Sequence, residues 1–235
     1  MIDPEFYVGY LPNAPPRLAA AVRRIVLGLF ALAATLAVAL VFAQRPFPLS
    51  TFEFQNYREF QGMLREHPYP RLAASSQYLL VAPGKHGAAD VFSGLDGKTL
   101  RLKGSLIYRN GDKMIEALPS TILPVDHAAA SEPVRVDLGM VTLAGEIVDS
   151  KCYLGVMNPG AGKVHRDCAA RCISGGIPPA LIVKDSSGVS KTILLTGLTI
   201  RRLLDFVAEP VEVRGRLLQS DGVLILDADR LARRE

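Results

Sequence analysis

The stretch TLRLKGSLIYRNGDKMIEAL, residues 99–118, decides how this chain is read. Residues 99–108 alternate apolar and polar side chains, the period-2 pattern of a strand with one face on a core. Asn110-Gly111 interrupts the pattern, and both residues tolerate positive φ, so the pair predicts a tight hairpin with Met114–Leu118 as the return strand. The same plan recurs at residues 210–227, PVEVRGRLLQSDGVLILD, where Ser220-Asp221-Gly222 supplies the turn. Gly104 and Gly215 take the same place in their strands, which predicts a bulge or sharp bend at the corner of a small barrel.

Working outward, Glu59–Leu64 matches Thr142–Ile147 in spacing, and Tyr78–Val81 matches Ala180–Val183. An internal duplication is expected, residues 50–124 and 138–231, joined across 125–137 by the Ala/Ser-rich link Asp126–Pro133. Each half supplies about five short strands with a helix or loop inserted, which suits an OB-like barrel better than a sandwich. Thr199–Phe206 reads as a short helix with Thr199 as N-cap and Ile200, Leu203 and Leu204 toward the barrel. The expected fold class is therefore mainly β: two tandem OB-like small β-barrels behind one N-terminal transmembrane helix.

That helix is expected within residues 18–44. Ile25–Ala43 reads IVLGLFALAATLAVALVFA, without charge or proline, and at ~1.5 Å per residue it covers a hydrocarbon core of ~30 Å. Arg17, Arg23 and Arg24 precede it and Arg45 alone follows closely, so the positive-inside rule places the N-terminus in the cytoplasm and the rest in the periplasm of a bacterial inner membrane. A cleaved signal peptide ending near Ala43 is the competing reading, which the long leading segment disfavours. Residues 1–17, with Pro12, Pro15 and Pro16 among Phe6, Tyr7 and Tyr10, read as an extended arm.

A hydrophobic content of 49% and a mean hydropathy of +0.21 agree with a membrane segment. The net charge of +4 is divided among Arg23-Arg24, Arg201-Arg202 and Arg233-Arg234, and no row of aromatic side chains marks the strands. With export, this argues against nucleic acid as a partner.

All three cysteines and one of the four histidines lie in Val148–Pro179. His165, Cys168 and Cys172 stand at i, i+3 and i+7 of a helical pattern that Gly175-Gly176 and Pro178-Pro179 terminate. Cys152 follows the strand Ala144–Val148 and can approach the same face. Three thiolates and an imidazole suffice for a tetrahedral zinc site, so Cys152, His165, Cys168 and Cys172 are the candidate metal ligands. Three alternatives stay open: a disulfide from Cys152 to Cys168 or Cys172, copper(I) on the same ligands, or a low-pKa thiol favoured by Arg166 and Arg171. Asn158–Lys163 is no phosphate loop, because Met157 stands where the first glycine is needed. His67, His86 and His127 read as isolated loop or surface residues, and no catalytic constellation emerges.

On Asp149-x-x-Cys152, His165-x-x-Cys168-x-x-x-Cys172 and Gly176-Ile177-Pro178, residues 138–231 resemble an uncharacterised group of exported bacterial OB-like proteins. The resemblance implies that the Cys/His core belongs to the fold. The expected role is a non-catalytic accessory or assembly subunit of a membrane respiratory or other redox complex, with a structural Cys3His zinc site or a disulfide. The alternative is a periplasmic metal-handling (copper or zinc) or thiol-redox protein acting through the same cluster.

Overall fold

The computed structural model describes residues 14–44, 49–125, 132–185 and 188–234. Residues 1–13 of the expected arm and residues 126–131 of the expected link, His127 included, lie outside them. Two units form, Met1–Phe47 and Pro48–Glu235. In the first, α1 (Pro16–Ala43) is a 28-residue helix with none of its residues buried. Proline at its start uses a position with no intrahelical N–H bond to lose. It is long and apolar enough to cross a membrane, with a mean hydropathy of 2.8 over its most apolar window.

The second unit is the pair of barrels that the hairpin repeats predict. The first contains β1 (Thr51–Arg65), β2 (Arg71–Ala73), β3 (Gln77–Val81), α2 (Ala89–Phe92), β4 (Thr99–Arg109) and β5 (Asp112–Ala117). Its strands neighbour one another in the order β1-β2-β3-β5-β4, β4 closes back on β1, and the two-residue β6 (Leu123–Pro124) pairs with β4. The second contains β7 (Arg135–Asp149), α3 (Arg166–Ser174), β8 (Pro179–Lys184), β9 (Ser190–Thr196), α4 (Ile200–Leu204), β10 (Pro210–Ser220) and β11 (Val223–Arg233). It closes in the same cyclic order, β7-β8-β9-β11-β10. In each barrel the one parallel pair is third strand with fifth, β3 with β5 and β9 with β11.

The hairpins form for the reason read from sequence. Asn110 and Gly111 adopt φ of 51° and 90°, Asp221 and Gly222 of 49° and 85°, the left-handed pair of a two-residue turn. Gly104 and Gly215 lie where a Cβ would come within 2.5 Å of Glu116 O and 2.3 Å of Asp227 O, and the register of β10 against β11 shifts at Arg214/Gly215. Two sequence matches need correction. Tyr78–Val81 is β3, whose counterpart is β9, whereas Ala180–Val183 lies in β8. The three-residue β2 is too short to show alternation, so the sequence match passed over it. Thr199 does cap α4, accepting from Arg202 N, and Leu203 is buried, but Ile200 is 46% exposed because the helix is a single turn.

Each barrel has its own apolar core, around Leu64, Leu72 and Phe92 in the first and Ile147, Leu181 and Leu226 in the second. A third core joins them: Leu79, Val81, Ile107 and Met114 pack with Val148, Tyr153, Leu154 and Ile182. Polar ties cross the same seam. Arg71 donates to Ser220 O at 3.0 Å and Ser220 Oγ at 3.2 Å, and Arg65 faces Asp221 at 3.4 Å.

Candidate metal centre

The cysteine segment is an insertion between β7 and β8, the connection that in the first barrel is only the five residues Glu66–Pro70. OB folds use this first loop for ligands. β7 ends at Asp149, and the chain then makes a wide π-type turn over Cys152–Val156, a 3-10 turn over Lys163–His165, and α3. Asp149 has no exposed surface. Its Oδ1 accepts the Cys152 backbone N–H at 2.8 Å and its Oδ2 lies 3.0 Å from His165 Nε2. The Asp-x-x-Cys spacing is thus a backbone cap: the carboxylate reaches three residues on, closes the turn that presents Cys152, and holds the imidazole. Pro178 O accepts Ser150 N–H at 3.1 Å, which ties the far end of the insertion to its start.

Three sulfurs converge here. Cys152 Sγ lies 4.0 Å from both Cys168 Sγ and Cys172 Sγ, and all three fall within 4.8 Å of one another. The thiols are free, at about twice the ~2.05 Å of a disulfide bond. Thiolates on one zinc ion at ~2.3 Å stand about 3.8 Å apart, close to the two 4.0 Å separations from Cys152.

The fourth expected ligand is placed differently. His165 groups with Cys152 and Asp149, not with Cys168 and Cys172. It stands before the first turn of α3, as the last residue of the 3-10 turn, and so falls out of phase with the cysteine face. The Cys/His/Asp cluster as a whole can hold a metal ion, arranged as a three-sulfur set and a buried carboxylate–imidazole pair that share Cys152.

The cation beside the thiols comes from the other barrel. Lys85 Nζ donates to Cys168 Sγ at 2.9 Å and lies 3.7 Å from Cys172 Sγ. Two devices hold its loop. Lys151, with 3% of its side chain exposed, donates to Ala82 O at 2.9 Å and Gly84 O at 2.6 Å and pairs with Glu116 at 2.5 Å. On the other side the two backbones touch: Gly87 N donates to Gly175 O at 2.9 Å, and a Cβ on Gly175 would stand 1.9 Å from Lys85 O. Gly175-Gly176, read from sequence as a helix stop, also makes room for the first barrel.

The sulfur–sulfur contact and this cation together set the thiol chemistry. The hydrogen bond from Cys152, helped by the Lys85 charge, lowers the Cys172 thiol to about 7 against desolvation and Asp149. Cys152 moves the opposite way, raised by that shared bond, by burial and by Asp149. The Cys168 bond, and the negative charge on the sulfurs, raise Lys85. The pair therefore yields its first proton from Cys172, with Cys152 as donor to the thiolate. Arg166 is paired with Glu209 at 3.1 Å and Arg171 is exposed, so Lys85 fills the part the sequence suggested for them.

The sulfurs line a cavity of about 470 Å³ whose walls include Phe52, Tyr57, Val156 and Met157. Sequence reasoning found the cysteines and missed Lys85, which lies 83 residues from Cys168 in the other barrel. Lys151 and Asp149 were visible in Asp-Ser-Lys-Cys, but nothing local shows that they are buried. His67 and His86 are exposed loop residues. In sequence comparisons no family model matches the chain, and no curated protein matches it.

Proposed function

We propose that this is a membrane-anchored, exported accessory or assembly factor of a membrane redox complex, which holds a thiophilic ion, zinc or copper(I), on Cys152, Cys168 and Cys172. The observation that carries the reading is the convergence of three sulfurs beside one lysine at the wall of a cavity. With His165 held by Asp149, the sulfurs make a three-ligand set, where a closed structural zinc site takes four. Three ligands would leave an ion held by Cys152, Cys168 and Cys172 open to exchange, which suits handling of a metal more than clipping a loop. The ion would supply soft Lewis-acid binding of a further thiolate, thioether or imidazole.

The chain's residues do the rest. Asp149 positions Cys152, and α3 positions Cys168 and Cys172. A divalent ion on three thiolates leaves one negative charge over, which the Lys85 ammonium balances. The export reading adds a chemical motive: three free thiols within reach of one another oxidise readily in a disulfide-forming compartment, and a bound ion protects them. The apolar α1 and the arginines ahead of its centre support an inner-membrane anchor with a cytoplasmic N-terminus.

The test is metal content and a thiol count on the full chain purified in detergent without oxygen, then loaded with zinc or copper(I). One ion per chain with protected thiols is expected. Cys168→Ser should lose the ion and keep the fold, and His165→Gln should keep the ion. An unloaded wild type with three freely reactive thiols refutes metal binding. Absence of co-migration with redox subunits in gently solubilised membranes refutes the complex.

A further inference from the structure

On the other side of the cysteine insertion lies a second pocket, of about 500 Å³, whose walls include Arg109, Glu146, Tyr153, Lys184, Ser190 and Arg234. Arg109 ends β4 of the first barrel and is only 5% exposed. Its guanidinium stacks on the Tyr153 ring, 4.3 Å from the centroid. Nε and Nη2 are shut away from solvent without an acceptor, and among the described residues no carboxylate pairs with it. Glu146 is occupied elsewhere, accepting Gly162 N–H at 2.5 Å.

A buried cation without a counter-charge is costly, because an aromatic face returns only part of the hydration that burial removes. Here the fold keeps one, and Lys184 and Arg234 add two more positive charges to the same wall. Three cations against one engaged carboxylate make the pocket electropositive. Guanidinium and ammonium groups at a pocket this size match a planar or tetrahedral oxyanion.

We propose that this pocket binds an oxyanion, a carboxylate or phosphate group, with Arg109 as its central counter-charge and Lys184 and Arg234 at its rim. The site is separate from the sulfur cluster and stands whether or not a metal binds there. The shared cysteine insertion shapes both: Cys152 faces one cavity and the next residue, Tyr153, backs the other. The oxyanion is either free in solution or the phosphate of a lipid headgroup.

The test uses the full chain in nonionic detergent. Thermal unfolding and titration calorimetry are run with inorganic phosphate and citrate, against sodium chloride at matched ionic strength, and separately in mixed micelles with phosphatidylglycerol. Saturable binding and a rise in Tm beyond the chloride control are expected, weakened about 10- to 100-fold in Arg109→Gln. A response to phosphate or citrate identifies a free anion, and one confined to phosphatidylglycerol identifies a headgroup. No saturable response in either arm, or one unchanged in Arg109→Gln, overturns the proposal. Should Arg109→Gln fail to fold, Lys184→Met with Arg234→Met replaces it, since both side chains are at the surface. Binding to that double variant as tight as to wild type then overturns the proposal.

Discussion

Gly175→Ala separates two accounts of the Gly175-Gly176 pair. If Gly175 only stops α3, alanine should help. Its φ of −82° and ψ of 5° suit any residue, and Gly→Ala at such a position stabilises by ~0.4–1 kcal/mol through the unfolded chain. In the structure the new methyl would stand 1.9 Å from Lys85 O. Restoring ordinary contact at 3.4 Å moves that carbonyl, or α3, by about 1.5 Å. The shift breaks the 2.9 Å bond from Gly87 N to Gly175 O, worth ~1 kcal/mol, and forces overpacking worth ~1–3 kcal/mol. Set against the gain of ~0.4–1 kcal/mol from the unfolded chain, the net is a destabilisation of roughly 1–3.5 kcal/mol, or about 2–14 °C in Tm for a unit of this size. Lys85 also leaves the sulfurs, so thiolate absorbance at neutral pH should fall together with Tm. Circular dichroism melting and absorbance near 240 nm read both. A variant as stable as wild type, or more so, refutes the reasoning.

Two further outcomes follow from the same seam. Lys151→Met removes two carbonyl acceptors' donor and strands Glu116, so urea unfolding should show a loss of about 3–5 kcal/mol, partly recovered when Glu116→Gln is added. In the metal-free protein, thiolate absorbance should rise through pH about 7, and Lys85→Met should move the midpoint upward. Because the folded Cys172 value lies below the ordinary thiol range, its stabilising contribution is complete above that range and is lost as the pH falls through about 7.

What was legible in the sequence is what neighbours along the chain decide. Asn110-Gly111 and Asp221-Gly222 announce hairpins because two positive-φ residues leave the backbone few other choices. The period-2 runs beside them announce strands, and the recurrence of the whole pattern announces a second barrel. Matching Tyr78–Val81 to the wrong strand of the second barrel shows where this ends: partners β3–β5 and β9–β11 are set by pairing across the barrel, which no local period encodes. The site divides in the same way. Cys168 and Cys172 are four residues apart on one helix and legible as neighbours. His165 is three residues from Cys168, yet a change from 3-10 to α geometry at Arg166 turns it to Asp149. Lys85 needs the docking of one barrel on the other before it has any relation to sulfur.

That docking gives the pairing of two barrels a chemical use. A lone second barrel would still carry Cys152, Cys168 and Cys172, but it would lose the only cation placed on them among the described residues, and Lys151 would lose its acceptors and its carboxylate. The first barrel supplies both from a loop and a strand edge. The core that joins Leu79, Val81, Ile107 and Met114 to Val148 and Tyr153 keeps the two from sliding. Only the second barrel carries the insertion, and it packs closely on the first: a Cβ on Gly155 would meet Thr51 O at 2.5 Å. One barrel thus provides the sulfurs and the contact from Cys152 that chiefly lowers the Cys172 thiol, and the other adds a charge that lowers it further. Mutations in the first barrel's 82–87 loop should therefore act on the thiols without touching the cysteine segment.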